Sequence, residues 1–458
     1  MDFIQKLRNQ LGGKVSTDGA DLEAHSADFG RMARKKPRVV VRPESTEDVA
    51  VAVQVARETR TSLAVRGQAH SQSGQSLSDG GILIDMTTLN KILEISKDRT
   101  WVRVQAGVVW SDLVGEVLQQ GAVPPVLTNN LGVTVGGTLS VAGLGISSFR
   151  YGAQGDNVLS LKVVTGAGQM LDCSAGENLE LFNAARSGLG QFAVITEAKL
   201  KLKPCFSRVR TYYLLYDDLE TFMADSKLLM EEDRFDYLEA WCSPCPQGFR
   251  GQGEERQAFA EWFYPLHVSV ELDPDVTLDE NALLRGLSFY RKAHVEDWPM
   301  AGFVRRLESL FELWKRMGYW DRPHPWMETL LPWDAAPAYI SMVLSQLPPH
   351  FLGGGHILLW PSRGNTSQLP LFMRPESEYV IGFGLLPGVP RDVLDMALAK
   401  LRLASDLSMQ FGGKRYLSGI VDFDEEHWEK HFGNLWPALK SLKEKYDPDR
   451  ILGGFLPL

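Results

Sequence analysis

Chemically capable residues concentrate in one polar stretch, Arg66-Gly67-Gln68-Ala69-His70-Ser71-Gln72-Ser73-Gly74-Gln75, directly after the apolar run Leu63-Ala64-Val65. The pattern predicts a buried strand that opens into a cradle. Glycine tolerates positive φ and lets unpaired backbone N–H groups come close to a phosphate or pyrophosphate. His70 is the versatile side chain of this cradle. An imidazole there can bond covalently to a flavin ring, ligate a metal, or simply hydrogen-bond within its loop, the ordinary fate of a loop histidine. About sixty residues downstream comes Thr128-Asn129-Asn130-Leu131-Gly132-Val133-Thr134-Val135-Gly136-Gly137-Thr138-Leu139-Ser140, followed by Gly143, Gly145, Phe149-Arg150-Tyr151-Gly152 and Asn157-Val158. Small and apolar residues, not charges, separate its glycines. That suits a backbone laid against a flat ring and a phosphate chain better than a flexible surface loop.

A third candidate is Trp326-Met327-Glu328. Residues two apart on a strand share a face, so Trp326 and Glu328 would project together. The carboxylate could then be a base or an anchor for a substrate cation; the alternative is an exposed strand carboxylate. Cys242-Ser243-Pro244-Cys245 has redox-motif spacing but no second pair or histidine cluster beside it, and Cys173 and Cys205 read as small packed residues. Four cysteines in this length make no disulfide framework, and no metal site is expected.

The elements that must position these residues fall into two groups. Residues 37–66 read as strand, helix and strand: Arg38-Val39-Val40-Val41 is β-branched, Ser45 and Asp48 have capping-box-like spacing, and Val49, Val53 and Ala56 fall on one helical face. No glycine-x-glycine-x-x-glycine opens that helix, which favours FAD over a nicotinamide cofactor. Up to about residue 203 short strands follow, such as Ile82-Leu83-Ile84, Trp101-Val102-Arg103-Val104 and Leu161-Lys162-Val163-Val164, with a helix near 111–118 carrying Leu113, Val117 and Leu118 inward. Beyond Pro204 long amphipathic stretches near 219–223 and 393–403 alternate with candidate strands at 237–241, 357–360 and 379–383. An antiparallel sheet backed by helices is the natural architecture. Arg250-Gly251-Gln252-Gly253-Glu254 and Asp273-Pro274-Asp275 read as loops.

Bulk properties set the class. A single core stops growing at about 250–300 residues, so a chain of 458 has room for two or three. The formal charge of −9, from 48 basic and 57 acidic residues, offers no field for nucleic acid or an anionic membrane. No run of about 18 apolar residues occurs, and Met1-Asp2-Phe3-Ile4-Gln5-Lys6-Leu7-Arg8 lacks a signal peptide's apolar segment. A cytoplasmic protein is expected.

Taken in order, the first two stretches resemble the flavin-binding region of cytokinin dehydrogenases, within the vanillyl-alcohol oxidase superfamily of FAD-linked oxidases. Gly188-Leu189-Gly190-Gln191-Phe192-Ala193-Val194-Ile195-Thr196 is similar to the family's strand beside the cofactor. The resemblance resumes at His324-Pro325-Trp326, Arg415-Tyr416-Leu417, His431-Phe432-Gly433, Tyr446-Asp447-Pro448 and Ile451-Leu452, and so covers nearly the whole chain. It implies an α+β protein with a PCMH-type FAD-binding domain in two parts, residues 1–203 and 413–458, and an inserted α+β substrate domain, residues 204–412. It also implies a single covalent FAD link through His70: relatives that add a cysteine link carry it six residues before the glycine pair, where this chain has Asn130. The matching cofactor contacts are Arg66, Gly67, Gln68, Ala69, Ser71, Gly74, Gln75, Thr128, Asn129, Thr134, Gly136, Gly137, Ser140, Gly143, Ile195 and Tyr416.

Three departures bear on substrate. Family members carry a catalytic aspartate at the place of Asn129, and an amide can orient a substrate but cannot act as that base. At Glu328 the family has an asparagine that lines the substrate cavity with the tryptophan matching Trp326. His267 stands where an acidic substrate-domain residue is expected, and Tyr416 aligns with a family tyrosine near the flavin; Trp326, Glu328, His267 and Leu417 are the substrate contacts the resemblance implies. Gly453-Gly454-Phe455-Leu456 departs from the family's glutamine-bearing turn. The expected activity is FAD-dependent dehydrogenation of a small or medium organic molecule, a specialised metabolite rather than cytokinin, with oxygen or another electron acceptor; Glu328, Asn129 and Tyr416 are the catalytic candidates. Oxidative decarboxylation is the alternative within this class, and a flavin-carrying binding protein the alternative outside it.

Overall fold

The computed structural model describes residues 2–453 and 455–458; Gly454, in the departing C-terminal turn, lies outside them. Strands Val39–Val41, Ile82–Asp85 and Leu63–Arg66 run parallel in that spatial order, and Val15–Ser16 joins the far edge antiparallel. Helix Thr46–Thr59 covers them, burying Val49, Ala52, Val53, Val55 and Ala56. Its start is the expected cap in modified form: Ser45 Oγ accepts the Asp48 N–H at 3.2 Å, while the Asp48 carboxylate takes the N–H of Glu44. The strand Leu63–Arg66 therefore ends at a sheet edge, and the cradle leaves from it.

The C-terminal segment closes that edge. Leu63 donates to the carbonyl of Ile451 and accepts from Gly453. The segment is pinned by a fully buried pair, Lys443 and Asp447 at 2.8 Å. Asp447 accepts the N–H groups of Ile451 and Leu452, and Lys443 donates to the carbonyls of Gln191 and Leu452. A buried ion pair holds only when its remaining donors and lone pairs are used; here they are. Beside this unit lies a five-stranded antiparallel sheet ordered Ile92–Ile95, Trp101–Gln105, Ala193–Lys201, Val158–Thr165, Met170–Ser174. The adjoining helix Trp110–Leu118 buries Val114 with Leu113 and Val117, and leaves Leu118 half-buried. Side chains from both sheets and from Trp428, Phe432, Leu439 and Tyr446 share one core.

The second core is built on an eight-stranded antiparallel sheet, ordered Arg291–Pro299, Arg208–Tyr216, Gln257–Leu272, Tyr237–Arg250, His356–Arg363, Tyr379–Leu386, Met327–Pro332, Lys414–Arg415. Helices Leu219–Glu232, Ala336–Gln346 and Leu394–Gln410 pack their buried residues with Met327, Leu331, Ile357, Leu359, Ile381 and Phe383. Strand alternation then turns Glu328, Leu358 and Trp360 to the opposite face. Gly382 and Gly384 make room there: a Cβ at Gly382 would lie 1.8 Å from the Trp360 ring, and one at Gly384 would lie 3.0 Å from Trp360 and 3.4 Å from Glu328 Cγ. No helix among the described residues is long and apolar enough to cross a membrane.

Candidate active site

The free face of the large sheet and the cradle enclose one cavity of about 370 Å³. Its cradle wall is built by mutual pressure. Phe29 donates to the carbonyl of Ala69 and Gly30 to that of Ser71, both at 2.9 Å. Buried Asp28 gathers the Ser71 hydroxyl and the N–H groups of Gly74 and Arg31. Gly67 meets the cap of the next element so closely that a Cβ would sit 2.2 Å from Thr134 Oγ1. Thr134 in turn accepts from Gly137 at the start of helix Val135–Leu139, an element the strand-and-turn reading of this region did not anticipate. Ala69 is held at φ 53° just before His70, a conformation that costs a non-glycine residue energy and persists only where the surroundings fix it.

His70 is clamped edge-on by Phe29 at 4.1 Å and Trp326 at 5.4 Å between ring centroids. Its Nδ1 is buried and has no partner among the described residues. Burial, aided by nearby His324, pushes its pKa down to about 3, so the imidazole is neutral with a lone pair available for a bond. A buried polar atom without a partner calls for an explanation. A ligand in the cavity supplies one, and the residues present fit FAD in that role.

Most expected cofactor positions line this cavity: Gly67, Gln68, Ala69, His70, Ser71, Gln75, Thr128, Asn129, Thr134, Gly136, Gly137, Ser140, Gly143, Ile195 and Tyr416. Arg66 and Gly74 are not in its lining. Arg66 donates to the carbonyl of Ala27 and lies near Asp28 and Asp85, behind the cradle, and Gly74 is turned to Asp28. Gln75 and Ser73 tie the cradle to the other wall through Gly419 and Val421.

On the sheet wall Trp326 and Glu328 both face the cavity, as their spacing predicts, while Met327 is fully buried behind them. Burial pushes the Glu328 carboxyl up to about 7, against the opposing pull of the Ser418 hydroxyl, which donates to it, and of Arg415. Arg415 makes no ion pair with it. Its guanidinium is spent on the Glu328 carbonyl, Ser405 Oγ and the carbonyl of Ile420. Tyr416 donates its backbone N–H to the Glu328 carbonyl at 3.0 Å. Its phenol, raised by burial, lies against the backbone of Gly143 and Leu144, joining the two walls.

The other end of the sheet wall holds Glu239, 6% exposed and ion-paired to Arg306 through two oxygens at 2.6 and 2.7 Å. Arg306 also donates to Asn129 Oδ1 at 2.8 Å. Glu239 and Glu328 lie on strands three spacings apart, roughly 14 Å. Two expected substrate contacts fall outside the lining. His267 is the cross-strand partner of Glu239, one strand beyond the cavity, packed on Tyr213 and Trp241 and lowered by burial to about 4. Leu417 alternates away from Tyr416 into the flavin-side core.

Ser418, Trp360, Glu239 and Arg306 were not singled out from sequence. Glu239 was visible as one acid in the apolar strand Tyr237-Leu238-Glu239-Ala240-Trp241, a charge that demands a partner. Arg306, 67 residues away, gave no signal of its own.

Fold and site together fit an FAD-binding oxidoreductase, with one cavity between a cradle wall and a sheet wall. A family model for the FAD binding domain matches residues 37–174, and one described as cytokinin dehydrogenase 1, FAD and cytokinin binding, matches residues 206–454. The uncharacterized oxidoreductase ORF5 in the fasciation locus of Rhodococcoides fascians is 35% identical, covering 96% of this chain and 98% of that protein. Cytokinin dehydrogenase 10 of Oryza sativa subsp. japonica is 31% identical (96% and 87% covered), and cytokinin dehydrogenase 2 of Arabidopsis thaliana 30% (97% and 93%). The chain belongs to the cytokinin dehydrogenase family, and it is an FAD-dependent oxidase or dehydrogenase.

Proposed function

We propose that this enzyme dehydrogenates a small or medium organic metabolite other than a cytokinin, with FAD attached through His70 alone and Glu328 as the base. The observation that carries the reading is the setting of Glu328: a carboxyl with no ion-pair partner among the described residues, raised to about 7, on the face it shares with Trp326 beside His70. A base is most effective when its pKa lies near the working pH. Bound FAD supplies a hydride acceptor, and oxygen or another acceptor reoxidises it. Glu328 takes the proton that leaves the substrate as its C–H bond is oxidised, and Ser418 holds the carboxylate oriented. Trp326 and Tyr416, which line the cavity, would hold the cofactor and the substrate there, and burial excludes water. The neutral, unpartnered His70 Nδ1 supports the covalent link. The shared core of the first and last segments supports the division into residues 1–203, 204–412 and 413–458.

Asn129 supports a substrate other than cytokinin, because its amide replaces the acid of the relatives and is already bonded to Arg306. Two experiments test the reading. Acid-precipitated protein should keep its yellow chromophore, and His70→Ala should release it; complete release from the wild type contradicts the covalent link. An anaerobic screen following flavin bleaching should find a reductant among amines, alcohols or acids and show slow bleaching by isopentenyladenine. Rapid bleaching by that adenine contradicts the substrate assignment.

A further inference from the structure

Asn129, Arg306 and Glu239 form a unit whose polarity is set by a one-way constraint. A guanidinium only donates hydrogen bonds, so the atom of Asn129 that Arg306 reaches at 2.8 Å must be the amide oxygen. Arg306 is itself fixed by two bonds to Glu239. Both ion-pair side chains are largely buried, 14% and 6% exposed. The Asn129 amide cannot flip without leaving that guanidinium facing a second donor. Its nitrogen donates to no protein group among the described residues, and Asn129 lines the cavity.

We infer that Asn129 is a specificity-determining residue: its amide N–H groups receive a neutral hydrogen-bond acceptor of the substrate, a carbonyl oxygen or heteroaromatic nitrogen, and disfavour an amine N–H at that place. This rests on the reading of the cavity as the substrate site of the flavin enzyme. A protonated amine, which has hydrogens to donate and no lone pair to accept with, would leave donors facing donors in a desolvated pocket, where each unmade bond is costly. A substrate carboxylate is disfavoured for a second reason, since the Arg306 guanidinium is already neutralised by Glu239. Specificity built this way is strong because the wrong partner strands a buried polar group.

The test uses the flavin-loaded enzyme and three probes of similar shape: N-benzylacetamide, N-benzylethylamine and 3-phenylpropionate. Binding is read from the flavin difference spectrum. In the wild type the amide should bind more tightly than the carboxylate. Asn129→Asp should shift the amide-to-amine affinity ratio at least about tenfold toward the amine, the scale of one buried hydrogen bond gained by one ligand and lost by the other. Asn129→Leu, which removes the donors without adding charge, should bring the amide's advantage over the amine down by about the same factor. An unchanged ratio in both variants, or a wild type that prefers the carboxylate, overturns the inference and leaves the substrate site in place. If no probe of any class perturbs the flavin, the cavity is not the substrate site, and the underlying reading fails with it. Unaltered flavin spectra of the free variants establish that the cofactor wall is intact.

Discussion

Glu328 and Glu239 face the same cavity from the same sheet, and the protein treats them in opposite ways. Glu239 is met by Arg306 through two hydrogen bonds, so its charge is matched when it leaves water. Among the described residues Glu328 receives a single side-chain hydrogen bond, from Ser418, and the guanidinium of Arg415 is turned to backbone carbonyls and Ser405. Burial without compensation raises a carboxyl pKa, as it does for Glu328. The difference separates a carboxylate that can exchange a proton near neutral pH from one committed to holding a guanidinium in place. The first is suited to chemistry and the second to shape and polarity.

The sharpest way to break this contrast is to remove proton acceptance from each acid in turn. Glu328→Gln keeps size and hydrogen bonding, and should slow the reduction of bound flavin by a substrate about 10²–10⁴-fold, the range of general-base catalysis. Glu239→Gln should alter affinity far more than that rate. If Glu328→Gln instead weakens binding and leaves the saturated rate intact, Glu328 is an anchor for a cation, since binding shared by ground and transition states does not change the barrier.

Arg306→Met tests the paired end. Stripping one partner from a buried ion pair costs about 3–5 kcal/mol, and chemical denaturation should show that loss. Adding Glu239→Gln should recover part of it; a single variant as stable as the wild type would mean the pair is not desolvated in solution. Ser418→Ala is a milder probe. Its hydroxyl lowers the Glu328 pKa, so the midpoint of the pH profile for flavin reduction should rise by about one unit, as expected for losing one bond to a charged group.

A further effect is on stability against pH. Glu328 holds its proton more tightly when folded, about 7 against an ordinary 4.5. The folded chain therefore binds more protons than the unfolded one across that window, and the contribution of Glu328 to stability falls as pH rises from about 4.5 through 7. Neutral, buried His70 and His324 act with the opposite sign, costing stability as pH falls below their ordinary 6.5. The difference between wild type and Glu328→Gln, measured by denaturation at several pH values, isolates the carboxyl: the variant should gain relative to the wild type with rising pH.

The contrast also divides what sequence could and could not reveal. The cradle was legible because its signals are local: a strand, glycines and a histidine within ten residues, and a helix cap at Ser45. Trp326 and Glu328 were legible as a pair because strand periodicity places them on one face. Their electrical setting was not. The partners that define it, Ser418 for Glu328 and Arg306 for Glu239, are 90 and 67 residues distant, and sheet order brings them together. His267 shows the limit most clearly. It lies on the same sheet face as Glu239, but one strand too far to reach the cavity, an offset that no periodicity encodes. Trp360 fits over Gly382 and Gly384 for the same long-range reason.

The most direct measurement of the central claim is the pH dependence of transient flavin reduction, at saturating substrate, in wild type and Glu328→Gln side by side. The account predicts a wild-type rate that rises with pH through a midpoint near 7, and a variant that is slow throughout and lacks that midpoint. A variant that keeps the wild-type profile and rate would contradict it, and would remove Glu328 from the chemistry.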